Sequence, residues 1–123
     1  MPDYDIFCSQ EAFTGLTSYK AKLVKYGFEA GFDHILTPTR PGFFSRAAID
    51  SGLIIMSRYP IVDSDELVYK KFYLSDSFAR KGVLYAKIEI GDSHLHLFNS
   101  HTQANYFSGK CEDYKESVTY KLG

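Results

Sequence analysis

The stretch HLHLFNSHTQANY, His94 to Tyr106, decides how the chain is read. Alternation along a strand sets Leu95, Leu97, Asn99 and His101 on one face, with His94, His96, Phe98 and Ser100 on the other. The first face begins apolar and ends polar, and Thr102, Gln103 and Asn105 follow it. This predicts a buried strand whose C-terminal end delivers hydrogen-bonding side chains to a surface. In sheet proteins with helices outside, sites sit at such ends.

Working upstream, GVLYAKIEI (Gly82 to Ile90) sets Leu84, Ala86, Ile88 and Ile90 against Val83, Tyr85, Lys87 and Glu89. Gly91, Asp92 and Ser93 turn it back into the His94 strand, so the two form a hairpin. Glu66 to Tyr73 alternates with charge on one side and is expected as an edge strand. DSGLIIMS, Asp50 to Ser57, is a buried strand, with Arg58, Tyr59, Pro60 and Ile61 turning the chain after it. Phe32 to Leu36 is a short strand. Thr37 to Ser45 is a loop whose Phe43 and Phe44 are expected to plug the core.

The first strand is read at Tyr4 to Gln10 (YDIFCSQ), with the carboxylate of Glu11 just past its end. From Leu16 to Tyr26, the residues Leu16, Tyr19, Leu23 and Tyr26 recur at helical spacing; Lys20, Lys22 and Lys25 form a solvated face, and Gly27 caps the helix. A second helix is expected over Glu112 to Leu122. No internal repeat or low-complexity segment interrupts this order.

The 123 residues, 45% hydrophobic and 24% charged, are an ordinary composition for one domain at most. A net charge of −1 and a pI near 6.4 argue against a strongly basic nucleic-acid binder. Ten Tyr and ten Phe supply apolar area for a core and amphipathic rings for a cleft. Cys8 and Cys111 are too few and too far apart for a disulfide framework or a zinc ribbon; a buried thiol is expected at Cys8 and an exposed one at Cys111. MPDYDIFCSQ has no basic start followed by an apolar run, so no signal peptide is read there. No window approaches a membrane span, and the sequence assigns no compartment.

FNSHTQANY resembles the Asn-Thr-His-Leu-Gln-Ala strand of the neutral and bacterial sphingomyelinases, within the DNase I-like endonuclease/exonuclease/phosphatase superfamily. Three further segments match in the same order. SQEAF, Ser9 to Phe13, resembles the segment whose Glu binds the catalytic Mg²⁺, which implies that role for Glu11. DSGLIIMSRYPI, Asp50 to Ile61, resembles the superfamily strand ending in Ser-Arg/Lys-x-Pro-Ile. DSFARKGVLYAKIEI, Asp76 to Ile90, resembles the sphingomyelinase segment Asp-x-Leu-x-x-Lys-Gly-x-x-Tyr-x-Lys, which points to Asp76 and Lys81 and separates sphingomyelinases from nucleases.

The resemblance implies an α/β (α+β) fold, part of a four-layer α/β/β/α sandwich with mostly antiparallel strands. It implies a phosphodiesterase cleaving sphingomyelin to ceramide and phosphocholine at a membrane surface with Mg²⁺, through Glu11, Asp76, Lys81, Asn99 and His101. The chemistry is consistent: a hard cation takes carboxylate oxygen and keeps positions for water and phosphate. His101, Asn99 and Lys81 would supply donors to the phosphate oxygens. Thr102 stands where the family has Leu after the His.

The family's opening Asn strand, its Gly-Asp-Phe-Asn motif and its Ser-Asp-His motif, which carries the general base, have no counterpart in these residues. Residues 1–123 are therefore expected to be one incomplete domain, its N-terminal-to-central part. Lacking that base, the chain alone should lose a factor of about 10² to 10⁴. The alternatives are a nuclease or inositol-phosphate phosphatase on the same fold, and a truncated, non-catalytic module. His94 and His96, two apart on one strand face, have a chelating geometry for zinc or copper but no third ligand at suitable spacing. They are read as outward polar positions.

Overall fold

The computed structural model of the chain describes residues 3–12, 19–38, 52–68 and 82–102. The elements run β1 (Ile6–Ser9), α1 (Tyr19–Glu29), β2 (His34–Leu36), β3 (Ile54–Ser57), β4 (Ile61–Val68), β5 (Gly82–Ile90) and β6 (Ser93–His101). Two antiparallel three-stranded sheets result, ordered β1-β3-β2 and β4-β5-β6.

β3 is the middle of the molecule because its sequence is apolar on both faces. Ile54 and Met56 face the helix side, where Phe32 and Ala12 are fully buried and Phe7, Leu23, Val24 and Ile35 pack against them. Leu53 and Ile55 face the second sheet, where they meet Leu84, Ala86 and Ile88 of β5. The layers are thus helix, sheet, sheet. Each buried Leu, Ile, Met or Phe side chain here contributes about 1.5–3 kcal/mol by leaving water.

The β5–β6 hairpin follows its sequence pattern. Register pairs Ile90 with Ser93 across a two-residue turn, and Gly91 takes the first central position at φ 58°, where an L side chain would be strained. Along β5, Gly82, Leu84, Ala86 and Ile88 are buried. β6 departs from expectation at its start: Leu95 is exposed, Leu97 is half-buried and Asn99 is buried. Burial therefore grows toward the C-terminal end of β6. β4 is an edge strand, as expected, but it begins at Ile61, which the sequence assigned to a turn. A register shift between Ile61 and Asp63 and the exposed Asp63 and Asp65 protect that edge. Tyr69 to Tyr73 of the expected strand, the Phe43–Phe44 loop, Cys111 and the expected second helix lie outside the described residues.

The helix is rotated from its sequence reading. Tyr19 and Tyr26 are more than half exposed, whereas Lys20 and Gly27 are buried and Leu23 and Val24 half-buried. Lys20 is thus not on the solvated face; it lies in the groove with Val24, Ile35, Thr37 and Pro38, where its methylene stem can cover apolar surface. Gly27 is inside the helix rather than its cap. A Cβ there would fall 2.5 Å from Met56 Sδ and 3.3 Å from Ile35 Cδ1, so the glycine lets helix and sheet close up. The cap is Gly31, at φ 87°: its N–H bonds Phe28 O at 3.0 Å, and Phe32 N–H reaches back to Gly27 O at 3.0 Å. This reciprocal pair is the Schellman arrangement, and it drops Phe32 into the core.

Arg58 closes the end of the first sheet where β1 begins. Its backbone N–H bonds Asp5 O at 3.0 Å, Nε bonds Tyr4 O at 3.1 Å and Nη1 bonds Gly31 O at 3.3 Å. The guanidinium also sits 4.8 Å from the Phe32 ring centroid. Because β1 and β3 are antiparallel, this arrangement stands at the opposite end of β1 from Glu11. Cys8, expected to be buried, is exposed on β1. Partial burial still pushes its thiol pKa above the ordinary value.

Candidate active site

Where β1 and β6 end, the two sheets meet. Asn99 is 5% exposed, and its Nδ2 donates to Ser9 O at 2.9 Å and to Ile54 O at 3.0 Å. Both amide protons are therefore committed to main-chain carbonyls of the first sheet. One residue on, Gln10 Nε2 donates to Ser100 O at 2.5 Å. One further on, His101 Nε2 lies 3.4 Å from Glu11 Oε1.

Glu11 is held in an unusual conformation. Its φ is 61°, the left-handed region, which costs an L residue about 1–2 kcal/mol. It is the one non-glycine with positive φ among the described residues. Immediately after it, Ala12 is fully buried and its N–H bonds Gly52 O at 2.8 Å. The strain is thus imposed by fixed neighbours on both sides, and such strain concentrates at functional positions. The Glu11 side chain is 71% exposed whereas that of His101 is 13% exposed. A carboxylate at the surface stands beside an imidazole set into the seam.

This donor set suits a hard divalent cation. Magnesium keeps several waters and takes one or two protein carboxylates with substrate phosphate, so an exposed carboxylate beside an imidazole can serve as a first anchor. It does not suit a closed zinc cage. Among the described residues no group of three or more His, Cys, Asp or Glu is placed to hold a metal ion. His94 and His96 have other neighbours: His94 Nε2 is 3.9 Å from Glu89 Oε2, and His96 Nδ1 shares a hydrogen bond of 2.9 Å with Tyr85 OH.

Of the five residues drawn from the sequence, the structure brings Glu11, Asn99 and His101 together. Asn99 was expected to donate to phosphate; in the structure its amide protons bond main-chain carbonyls of the first sheet. Asp76 and Lys81 lie outside the described residues, although Gly82, the residue after Lys81, pairs with His101. Gln10 was missed. It stands in the SQEAF segment beside Glu11, a signal that assigns it no contact until Ser100 is seen opposite.

No family model matches the chain. A sphingomyelinase of Dictyostelium discoideum is 35% identical over 115 residues, which are 86% of this chain and 25% of the relative. The solved structure of a Staphylococcus aureus beta toxin superposes with a TM-score of 0.76 at 25% identity, over 92% of this chain and 42% of the toxin. The chain is a sphingomyelinase homologue. A double mutant of the toxin, solved with bound magnesium ions, superposes with a TM-score of 0.70 at 25% identity, over 81% of this chain and 37% of that one. The sphingomyelinase homologue thus spans about a quarter of its Dictyostelium relative. Its fold is of the DNase I-like type, seen among the described residues as two antiparallel sheets and one helix. No helix among the described residues of the homologue is long and apolar enough to cross a membrane.

Proposed function

We propose that the protein to which this stretch belongs hydrolyses the phosphodiester of sphingomyelin to ceramide and phosphocholine, with Mg²⁺ held in part by Glu11. The observation that carries this reading is the approach of Glu11 to His101, 3.4 Å apart where the two sheets end. The Dictyostelium relative's designation as a sphingomyelinase supports the substrate, and the magnesium in the related toxin supports the ion.

Bound there, Mg²⁺ would polarise the phosphoryl oxygen and offset charge developing on it. Glu11 would hold the ion through a carboxylate oxygen, the kind of ligand a hard divalent cation takes. His101 presents Nε2 at the mouth of the seam and would donate to a phosphate oxygen in the in-line transition state. In the hydrolysis a water oxygen would bond to phosphorus as the bond from phosphorus to the ceramide oxygen breaks, the water releasing one proton and the departing oxygen taking one up. We assign Asn99 to shaping the strand ends, its amide protons being engaged. Lys81, next in sequence to the partner of His101, is proposed as a cationic donor to the phosphate, and Asp76 as a further polar group of the same segment.

We take residues 1–123 as the N-terminal-to-central part of one incomplete domain, expected by itself to hydrolyse little. A phospholipid at a membrane surface is the proposed substrate form. The test is hydrolysis by the full-length protein of sphingomyelin vesicles and of plasmid DNA, each with Mg²⁺ and with chelator. Phosphocholine release that chelator abolishes supports the reading; nicking of the plasmid with intact lipid overturns it in favour of a nuclease on this fold.

A further inference from the structure

Ser9, Gln10 and Glu11 face Asn99, Ser100 and His101 in the same order across the seam. Asn99 Nδ2 donates to Ser9 O at 2.9 Å, and Gln10 Nε2 donates the other way to Ser100 O at 2.5 Å. Each strand end lends one side-chain amide and accepts at one main-chain carbonyl. The clasp is reciprocal.

Its place in the chain gives it a consequence. Pairing of β1 with β3 ends at Ser9, so Gln10 lies past the ladder. Beyond it, Glu11 is at φ 61° and Ala12 is tied to Gly52 O. A glutamate leaves the left-handed region unless both of its ends are fixed. Ala12 fixes one end. On the other, the side-chain amide of Gln10 is the tie to β6.

We propose that Gln10 is a positioning residue: through Ser100 O it holds Glu11 in the left-handed conformation that turns the carboxylate to His101 and to the metal position. The last clause rests on the function proposed above, and the first does not. Gln10 touches neither substrate nor ion in this scheme. It acts through Glu11, as residues behind metal ligands do, where their loss costs about 10- to 100-fold in metal affinity.

The test uses the full chain with Gln10→Met, which keeps the length and removes the donor, and Gln10→Glu, which keeps the shape and opposes the Ser100 carbonyl. Two readouts are taken by NMR. The intraresidue amide–Hα cross-peak of Glu11 is strong at φ near +60° and several-fold weaker in extended or right-handed backbone. Mg²⁺ titration is followed at the Glu11 amide. Cross-strand contacts of the β5–β6 hairpin report that the fold persists.

The expected result is a strong Glu11 cross-peak in the natural chain, a weak one in both variants with the hairpin intact, and Mg²⁺ affinity lowered about tenfold. A strong cross-peak retained in Gln10→Met, a weak one in the natural chain, or loss of the hairpin in both variants overturns the proposal; the last would make Gln10 a staple of the fold only. Equal Mg²⁺ affinity in natural and variant chains overturns its link to the metal. A natural chain that shows no Mg²⁺ response while both variants lose the cross-peak refutes Glu11 as a ligand and leaves the positioning role standing.

Discussion

The Glu11 carboxylate and the His101 imidazole lie 3.4 Å apart although one follows the first strand of one sheet and the other ends the last strand of the second. Neither sheet alone contains the pair. Any loosening of the contact between sheets should therefore act on chemistry before it acts on secondary structure.

Replacing Glu11 separates function from stability. In Glu11→Gly the strain of φ 61° is relieved, offset in part by the greater freedom of glycine in the unfolded chain. Urea unfolding should show stability unchanged or raised by up to ~1 kcal/mol, while Mg²⁺-dependent hydrolysis by the full-length protein is lost. A fall in stability above ~1 kcal/mol would mean that the carboxylate supports the fold.

His101→Asn should lower the turnover of full-length protein on sphingomyelin by about 10² to 10³, the usual cost of losing one donor to a developing oxyanion. Mg²⁺ affinity should move much less, because the carboxylate remains. Equal losses in turnover and in affinity would instead place His101 on the ion.

Asn99→Ala should destabilise the chain by about 1–3 kcal/mol, since it removes donors from two main-chain carbonyls in a buried setting. A change within ~0.5 kcal/mol in urea unfolding would contradict the seam as drawn.

At Gly27, alanine would normally favour a helix by about 1 kcal/mol. Here the added methyl meets Met56 Sδ at 2.5 Å, so Gly27→Ala should destabilise by about 1 kcal/mol net, the overpacking cost exceeding the propensity gain. Thermal unfolding of Gly27→Ala with and without Met56→Ala checks this: the second change should cost less in the alanine background than alone.

Burial raises the Cys8 thiol pKa, so folding favours the protonated form. The stability this contributes is present below the unfolded thiol pKa and is lost as pH rises through the higher folded value. In a Cys111→Ser chain, the iodoacetamide rate profile of Cys8 should have its midpoint above the ordinary value of 9.0. A midpoint below that value would require a cation near the sulfur instead of desolvation.

Much of this was legible before any coordinates. Strict alternation and a Gly-Asp turn specify β5 and β6, because period-2 burial and a two-residue turn leave one register. Glu11 and His101 were legible as chemistry-bearing ends of apolar strands. The helix face was misread because Lys20 looks solvated to a pattern that counts charge, while its stem is long enough to lie along apolar surface. Gly27 and Gly31 look alike in sequence, and only Met56 beneath the first and the φ of the second tell a close approach from a cap. The commitment of Asn99 to Ser9 and Ile54 depends on how two sheets stack, which no local pattern encodes.

The two cross-seam amide bonds share one separation, |i−j| of 90 for Ser9 with Asn99 and for Gln10 with Ser100. Deleting one residue from β6 ahead of Asn99 would send its side chain to the opposite face and dismantle every one of these contacts together. Insertions in the connecting loops, by contrast, leave the alignment untouched. The loops between can differ in length, while the two short strand ends keep their spacing only together.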